Sequence, residues 1–280
     1  MNAFPLPVRV VGPGSQPGDK ALNYLCVAAD MATFRPPPLP EAADPCALAT
    51  VRRVLAELIH AMRTQPFGAP VLDLGGLDAA ALDLLNRTLG EGEVSVLVRA
   101  PRRLEIQETA FAGVWRVRER NAAGGIAAER IEAGAMPAAV AAAMSAMAGP
   151  LLRPPAPEGL MNAPALLAEI ADRAARQSEG SAPHVINLTL LPMSPQDLAW
   201  LATALGEGPV TLLSRGYGNC RITGTRLAQV WRVQYFNSMD QLILDTIEIT
   251  TVPAAALAAP EDHADSIERL EEWLEMLGEG

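Results

Sequence analysis

The residues able to do chemistry are few and scattered. Cys26, Cys46 and Cys220 are an odd number of thiols at wide spacing, with no Cys-x-x-Cys pair and no disulfide framework. His60, His184 and His263 fall on a predicted helix, at a predicted strand entry and in an acidic tail. None has a second metal-type ligand at useful spacing, whereas a zinc or iron–sulfur site needs several nitrogen or sulfur ligands converging. The thiols read as small buried or idle side chains; the alternative is a metal- or iron–sulfur-handling factor that uses them. No Gly-x-Ser-x-Gly elbow and no Gly-Lys-Ser/Thr phosphate loop occurs. Gly12-Pro13-Gly14-Ser15-Gln16-Pro17-Gly18 is glycine-rich, but its prolines remove amide donors. Carboxylates are plentiful, yet none forms a distinctive acid and base pair. We therefore expect no catalytic residue, no metal site and no cofactor, and a protein that works by binding another protein.

The elements around these residues are written twice. Leu89-Gly90-Glu91-Gly92 recurs as Leu205-Gly206-Glu207-Gly208, and Val114-Trp115-Arg116-Val117 as Val230-Trp231-Arg232-Val233, at one offset of 116 residues. Between residues 89–118 and 205–234, 14 of 30 positions are identical, which chance does not produce. Upstream, Val71-Leu72-Asp73-Leu74 resembles Val185-Ile186-Asn187-Leu188 with a small gap. Each half predicts a helix (50–63 or 164–176), a short strand, a second helix (79–89 or 195–205, with Ser194 as N-cap), a Gly-x-Gly turn and four strands. The strand–helix–strand start suggests a right-handed parallel crossover. The closing strands suggest an antiparallel meander. The expected class is α+β or α/β: two tandem homologous halves, each a mixed β-sheet with helices, plus a C-terminal amphipathic helix. The boundaries are a non-repeated segment 1–47, a first half 48–148, a Pro-rich linker 149–161, a second half 162–258 and an acidic helix 259–280.

A residue type kept in both halves is required by the shared fold; one present in a single half is freer to serve function. By that rule Trp115 and Trp231 are core anchors, Arg99 and Arg215 are structural, and the Gly-x-Gly turns are helix C-caps followed by a tight turn. The halves part after the arginine. The first reads Ala100-Pro101-Arg102-Arg103, the second Gly216-Tyr217-Gly218-Asn219. Two glycines around a tyrosine, followed by an asparagine, read either as a recognition loop or as an ordinary hairpin turn.

The 280 residues are half hydrophobic, enough for a sizeable core, and carry a net charge of −10. That charge repels phosphate backbones, so no nucleic-acid partner is expected. Residues 261–280 hold eight of the acids and one arginine. Residues 135–152 lack charge, but their alanines and prolines predict a short buried helix, not a stable membrane insertion. Residues 1–7 show no secretory pattern, and the thiols suit the reducing cytoplasm. In the tail, Ile267, Leu270, Leu274 and Leu277 form an apolar stripe beside Trp273. We expect this helix to dock on the second half, with a partner surface as the alternative.

An ordered set of motifs completes the reading. Gly12-Pro13-Gly14-Ser15-Gln16-Pro17, Gly90-Glu91-Gly92-Glu93-Val94-Ser95-Val96, Ile106-Gln107-Glu108, Trp115-Arg116-Val117, Gly159-Leu160-Met161-Asn162, Ile186-Asn187-Leu188-Thr189, Gly216-Tyr217-Gly218 and Ala259-Pro260-Glu261-Asp262 together resemble the HupH/HyaF/HoxQ-type hydrogenase expression proteins. The resemblance implies a cytoplasmic, non-catalytic chaperone in maturation of an uptake [NiFe] hydrogenase. It implies binding of the small, iron–sulfur subunit precursor before twin-arginine export, together with a second small accessory protein. Asn23, Tyr24, Gly216, Tyr217, Gly218 and Asn219 are the candidate contacts.

Overall fold

The structure, a computed structural model, describes residues 44–65, 70–178, 180–215 and 218–277. Asn23, Tyr24, Cys26, Gly216 and Tyr217 lie outside the described residues.

The first half opens with α1 (Pro45–Thr64), five residues longer at its start than the apolar spacing predicts. Pro45 suits the first turn, and the Asp44 carboxylate accepts the Cys46 N–H. β1 (Val71–Asp73), α2 (Ala79–Leu89), β2 (Val94–Val98), β3 (Arg103–Glu108), β4 (Val114–Arg120), β5 (Ile126–Ala133) and α3 (Ala138–Ala146) follow. The second half repeats the plan with α4 (Ala163–Arg176), β6 (His184–Asn187), α5 (Pro195–Leu205), β7 (Glu207–Ser214), β8 (Asn219–Thr225), β9 (Val230–Phe236) and β10 (Leu242–Ile249), and α6 (Pro260–Met276) closes it. Ser194 is the N-cap of α5 and forms a capping box with Asp197. The Asp197 carboxylate also accepts the N–H groups of Met161, Asn162 and Ala163, which pins the end of the linker to α5. These bonds stabilise its charged form, so its pKa lies below the ordinary value although burial opposes the shift.

The glycine pairs have one job in both halves. Gly90 and Gly206 end α2 and α5 at φ 62° and 60°, where a side chain is strained. Two residues on, a Cβ on Gly92 would collide with the Thr109 carbonyl, and one on Gly208 with the Thr225 carbonyl. Turn and strand thus meet backbone to backbone.

All ten strands form one sheet, in the order β1-β5-β4-β3-β2-β7-β8-β9-β10-β6. Every ladder is antiparallel, and the class is α+β. The expected parallel crossover links β1 to β2, which run parallel to each other through four antiparallel steps, but the two strands are not neighbours. β1 and β2 bound the half-sheet with three strands between them, because the meander β2–β5 pairs hairpin by hairpin and its last strand returns to β1. Sequence order was a poor guide to sheet order there.

The halves join at β2–β7, where Val96 pairs with Leu212. These two residues are equivalents at the 116-residue offset, so a pseudo-twofold axis passes between them. The junction is self-complementary in the manner of an isologous dimer interface within one chain.

Each half also lends its closing helix to the other. α3 packs on β7, and the Met144 sulfur fills the space beside Gly224. α6 returns to the first half, correcting the expectation that it docks on the second. Leu270, Trp273 and Leu277 join the core of α1 and α2, Arg63 donates to Glu271 at 2.6 Å, and Arg269 donates to the Ala110 carbonyl and covers the Phe111 ring. The stripe was legible; its destination depends on the sheet order.

Candidate functional site

Strand alternation sorts the sheet into two faces. Trp115, Val117, Val96, Leu212, Ile222, Val233 and Trp231 point to one, a central core closed by α3. Both indoles are fully buried there, and each N–H donates to an equivalent carbonyl, Gly134 at 2.8 Å and Thr250 at 3.1 Å. The anchor role expected of the two tryptophans is what the structure gives them.

The opposite face is covered only at its ends. α1, α2 and α6 pack over Val114 and Ile131, and α4 and α5 over Val230 and Ile247. The middle is bare. Two equivalent rows of half-buried side chains cross it, related by the pseudo-twofold. One runs Arg118, Glu105, Leu97, Thr211, Thr223, Arg232; the other Gln234, Arg221, Leu213, Ser95, Gln107, Arg116. On the first half's side they form a groove of about 410 Å³ that runs from Arg116 and Arg118 to Thr211 and Leu213, with Leu97 and Leu213 beside the axis and Glu91 and Arg99 at a rim.

The groove carries charged and polar side chains that are largely self-bonded, while most of the surface they present is carbon. Gln107 donates to the carbonyls of Gly92, Val94 and Glu108 at 3.0–3.2 Å, which fixes the Gly-x-Gly turn to β3. Arg116 and Arg118 share Glu129, Arg103 and Arg120 share Glu105, and Arg232 holds Asp245 at 2.6 Å. Burial pushes the Glu129 carboxyl up, and its two arginines more than offset that and hold it below the usual range. The Arg120 hydrogen bond holds Glu105 low in the same way. Arg221 has no ion-pair partner among the described residues.

Arg99 and Arg215 are kept in both halves but not for a side-chain contact: both are exposed, and neither makes an ion pair among the described residues. Their backbone N–H groups instead extend the seam, bonding the Pro209 and Glu93 carbonyls at 2.8 and 3.2 Å. Of the candidate loop, Gly218 is exposed with φ 101°, and Asn219 opens β8 on the same face as Arg221.

Other chemical groups lie apart. Cys46 is exposed on α1. Cys220 is buried in the central core, where burial pushes its thiol up to about 12. His60 is exposed on α1, His184 bonds Glu169 at 2.9 Å on β6, and His263 is buried on α6. Among the described residues no group of three His, Cys, Asp or Glu side chains is placed to hold a metal, and no helix is long and apolar enough to cross a membrane. Glu108 is the one strongly shifted carboxyl in the first half: burial pushes it up to about 7, on the core face and away from the groove.

The sequence has relatives. A family model described as HupH hydrogenase expression protein, C-terminal conserved region, matches residues 48–153 and again 160–277. The chain is similar to hydrogenase expression/formation protein HoxQ of Cupriavidus necator, 45% identical over 282 residues with 99% of each chain covered. It is likewise similar to hydrogenase expression/formation protein HupH of Rhodobacter capsulatus, 46% identical over 284 residues with 99% of each covered. A solved structure, hydrogenase expression protein HupH from Thiobacillus denitrificans, is 30% identical; the match covers 41% of this chain and 94% of that one, with a TM-score of 0.38.

Proposed function

The chain belongs to the family of HupH hydrogenase expression proteins, and on that premise we propose that it is a non-catalytic chaperone for maturation of an uptake [NiFe] hydrogenase. It binds the immature iron–sulfur small subunit in the cytoplasm before export, alongside a second small accessory protein. The observation that carries this reading is the bare groove at the seam. A fold that covers the two ends of one sheet face and leaves its middle open, lined by polar side chains without a convergent acid–base or nucleophile set, suits recognition better than turnover. Gly218 and Asn219 extend that surface on the second half, and Asn23, Tyr24, Gly216 and Tyr217 complete the proposed contacts. The alternative, a metal- or iron–sulfur-handling factor, needs reactive thiolates, and Cys220 is buried with its proton held tightly.

The test is an affinity pull-down from cells expressing the hydrogenase operon, with mass spectrometry of what co-elutes. Recovery of the small-subunit precursor is the expected result. Recovery of nothing from that operon, with soluble and folded bait, overturns the reading. Alanine at Asn219 and Tyr217 should weaken the capture.

A further inference from the structure

The groove carries the opposite sign from the molecule. The bare face around it holds five half-buried guanidiniums, those of Arg116, Arg118, Arg120, Arg221 and Arg232, against the carboxylates of Glu105, Glu129 and Asp245. The rim is balanced, with Arg99, Arg103 and Arg215 against Glu91, Glu93 and Glu207, and all six are exposed and screened by salt. The floor charges are half-buried or, for Glu129 and Asp245, buried, and they are screened less. A chain with a net charge of −10 thus keeps a positive surplus on its one bare sheet face. Solubility does not require it, because any net charge of either sign on the outer surface serves that end. Partly desolvated arginine surplus is matched by carboxylates.

The spacing selects an extended ligand. Arg116 and Arg118 stand on β4, Arg221 on β8, four inter-strand steps away across the seam, which is about 19 Å. A single small carboxylate cannot reach both clusters. About six residues of extended chain can. Leu97 and Leu213 lie midway and offer apolar contact between them. A nucleic acid is disfavoured, since the whole chain repels a polyanion even where the groove does not.

We propose that the groove binds an acidic, extended segment of the client protein. This rests on the chaperone reading above and deepens it. An export leader begins with a basic region, which this floor repels. The groove therefore reads the body of the small subunit and leaves the leader free.

The experiment uses the full-length protein and two fluorescein-labelled octapeptides, one alternating Glu and Val, the other Lys and Val, followed by anisotropy. The Glu peptide should bind, its affinity should fall as salt is raised, and Arg221→Glu should weaken it by about tenfold or more. Arg118→Gln, which leaves Glu129 paired with Arg116, should weaken it severalfold; thermal unfolding checks that both variants fold. Equal or tighter binding of the Lys peptide overturns the proposal, as does Glu-peptide binding that Arg221→Glu leaves unchanged. Capture of the small subunit should be as strong without its leader as with it; capture that needs the leader overturns the proposal. If neither form is captured while the Glu peptide still binds and responds to Arg221→Glu, the groove assignment stands and the small-subunit reading falls.

Discussion

Glu105 in the first half and Arg221 in the second occupy equivalent places on equivalent strands, both half-buried on the bare face. Arg118 and Gln234 are another such pair, and Glu108 and Gly224 a third on the core face. At the β9–β10 hairpin tip and the turn after β6 the contrast is one of size. Leu190, Met239 and Ile243 are 80%, 70% and 57% exposed, where the first half has Gly76, Ala123 and Ala127. Against these stand the pairs that do not differ: Gly90 and Gly206, Gly92 and Gly208, Trp115 and Trp231. Each kept pair has identical surroundings across the axis, a helix end, a carbonyl against Cα, an indole in the central core. Duplication has held what packing demands in both halves and released mainly what faces outward, with Glu108 against Gly224 the exception on the core face.

That contrast can be broken most severely at the turns. Gly92→Ala and Gly208→Ala should each cost about 3 kcal/mol, by equal amounts, because each drives a Cβ into a backbone carbonyl that cannot rotate away. Urea unfolding measures both, and tolerance of one alone would show that the two turns are not equivalent. Trp115→Phe and Trp231→Phe come next, at about 2 kcal/mol each, for the lost indole hydrogen bond and the volume left behind.

Glu108 sharpens the comparison through pH. Its folded pKa of about 7 lies above the ordinary 4.5, so the folded state holds the proton more tightly. Its favourable contribution is complete below pH 4.5 and is lost as pH rises through about 7. Glu108→Gln should therefore raise stability at pH 8 by roughly 1–2 kcal/mol relative to its effect at pH 4, read by denaturant titration at both values. Gly224 gives the second half no such dependence. The smallest effect belongs to the tips: Met239→Ser and Ile243→Ser should change stability by less than about 0.5 kcal/mol, since both side chains are already in water.

Much of the local structure could be read from the residues. The apolar spacing of α1 and α2, the Ser194 cap, the glycine-ended helices and the inward tryptophans all follow from interactions within a few residues or from alternation along one strand. What escaped depends on partners distant in sequence. Alternation says that Arg116 and Arg221 face away from the core, but not that they face the same way. That needs the register of β2 on β7, set by packing of the assembled sheet. The docking of α6 on α1 escaped for the same reason: its stripe is a surface without an address until the sheet order is known. The groove could have been suspected from one signal, the outward arginines at Arg116, Arg118 and Arg232 in a chain otherwise rich in acid.

The exchange of closing helices bears on how the protein is made. The core of α1 and α2 stays open on the side that Leu270, Trp273 and Leu277 cover until α6 has been synthesised, after all ten strands. The first half is thus a nascent chain with an unsealed apolar flank for as long as the second is being translated. The first half reaches its final packing only once α6 has been made and has docked on α1 and α2.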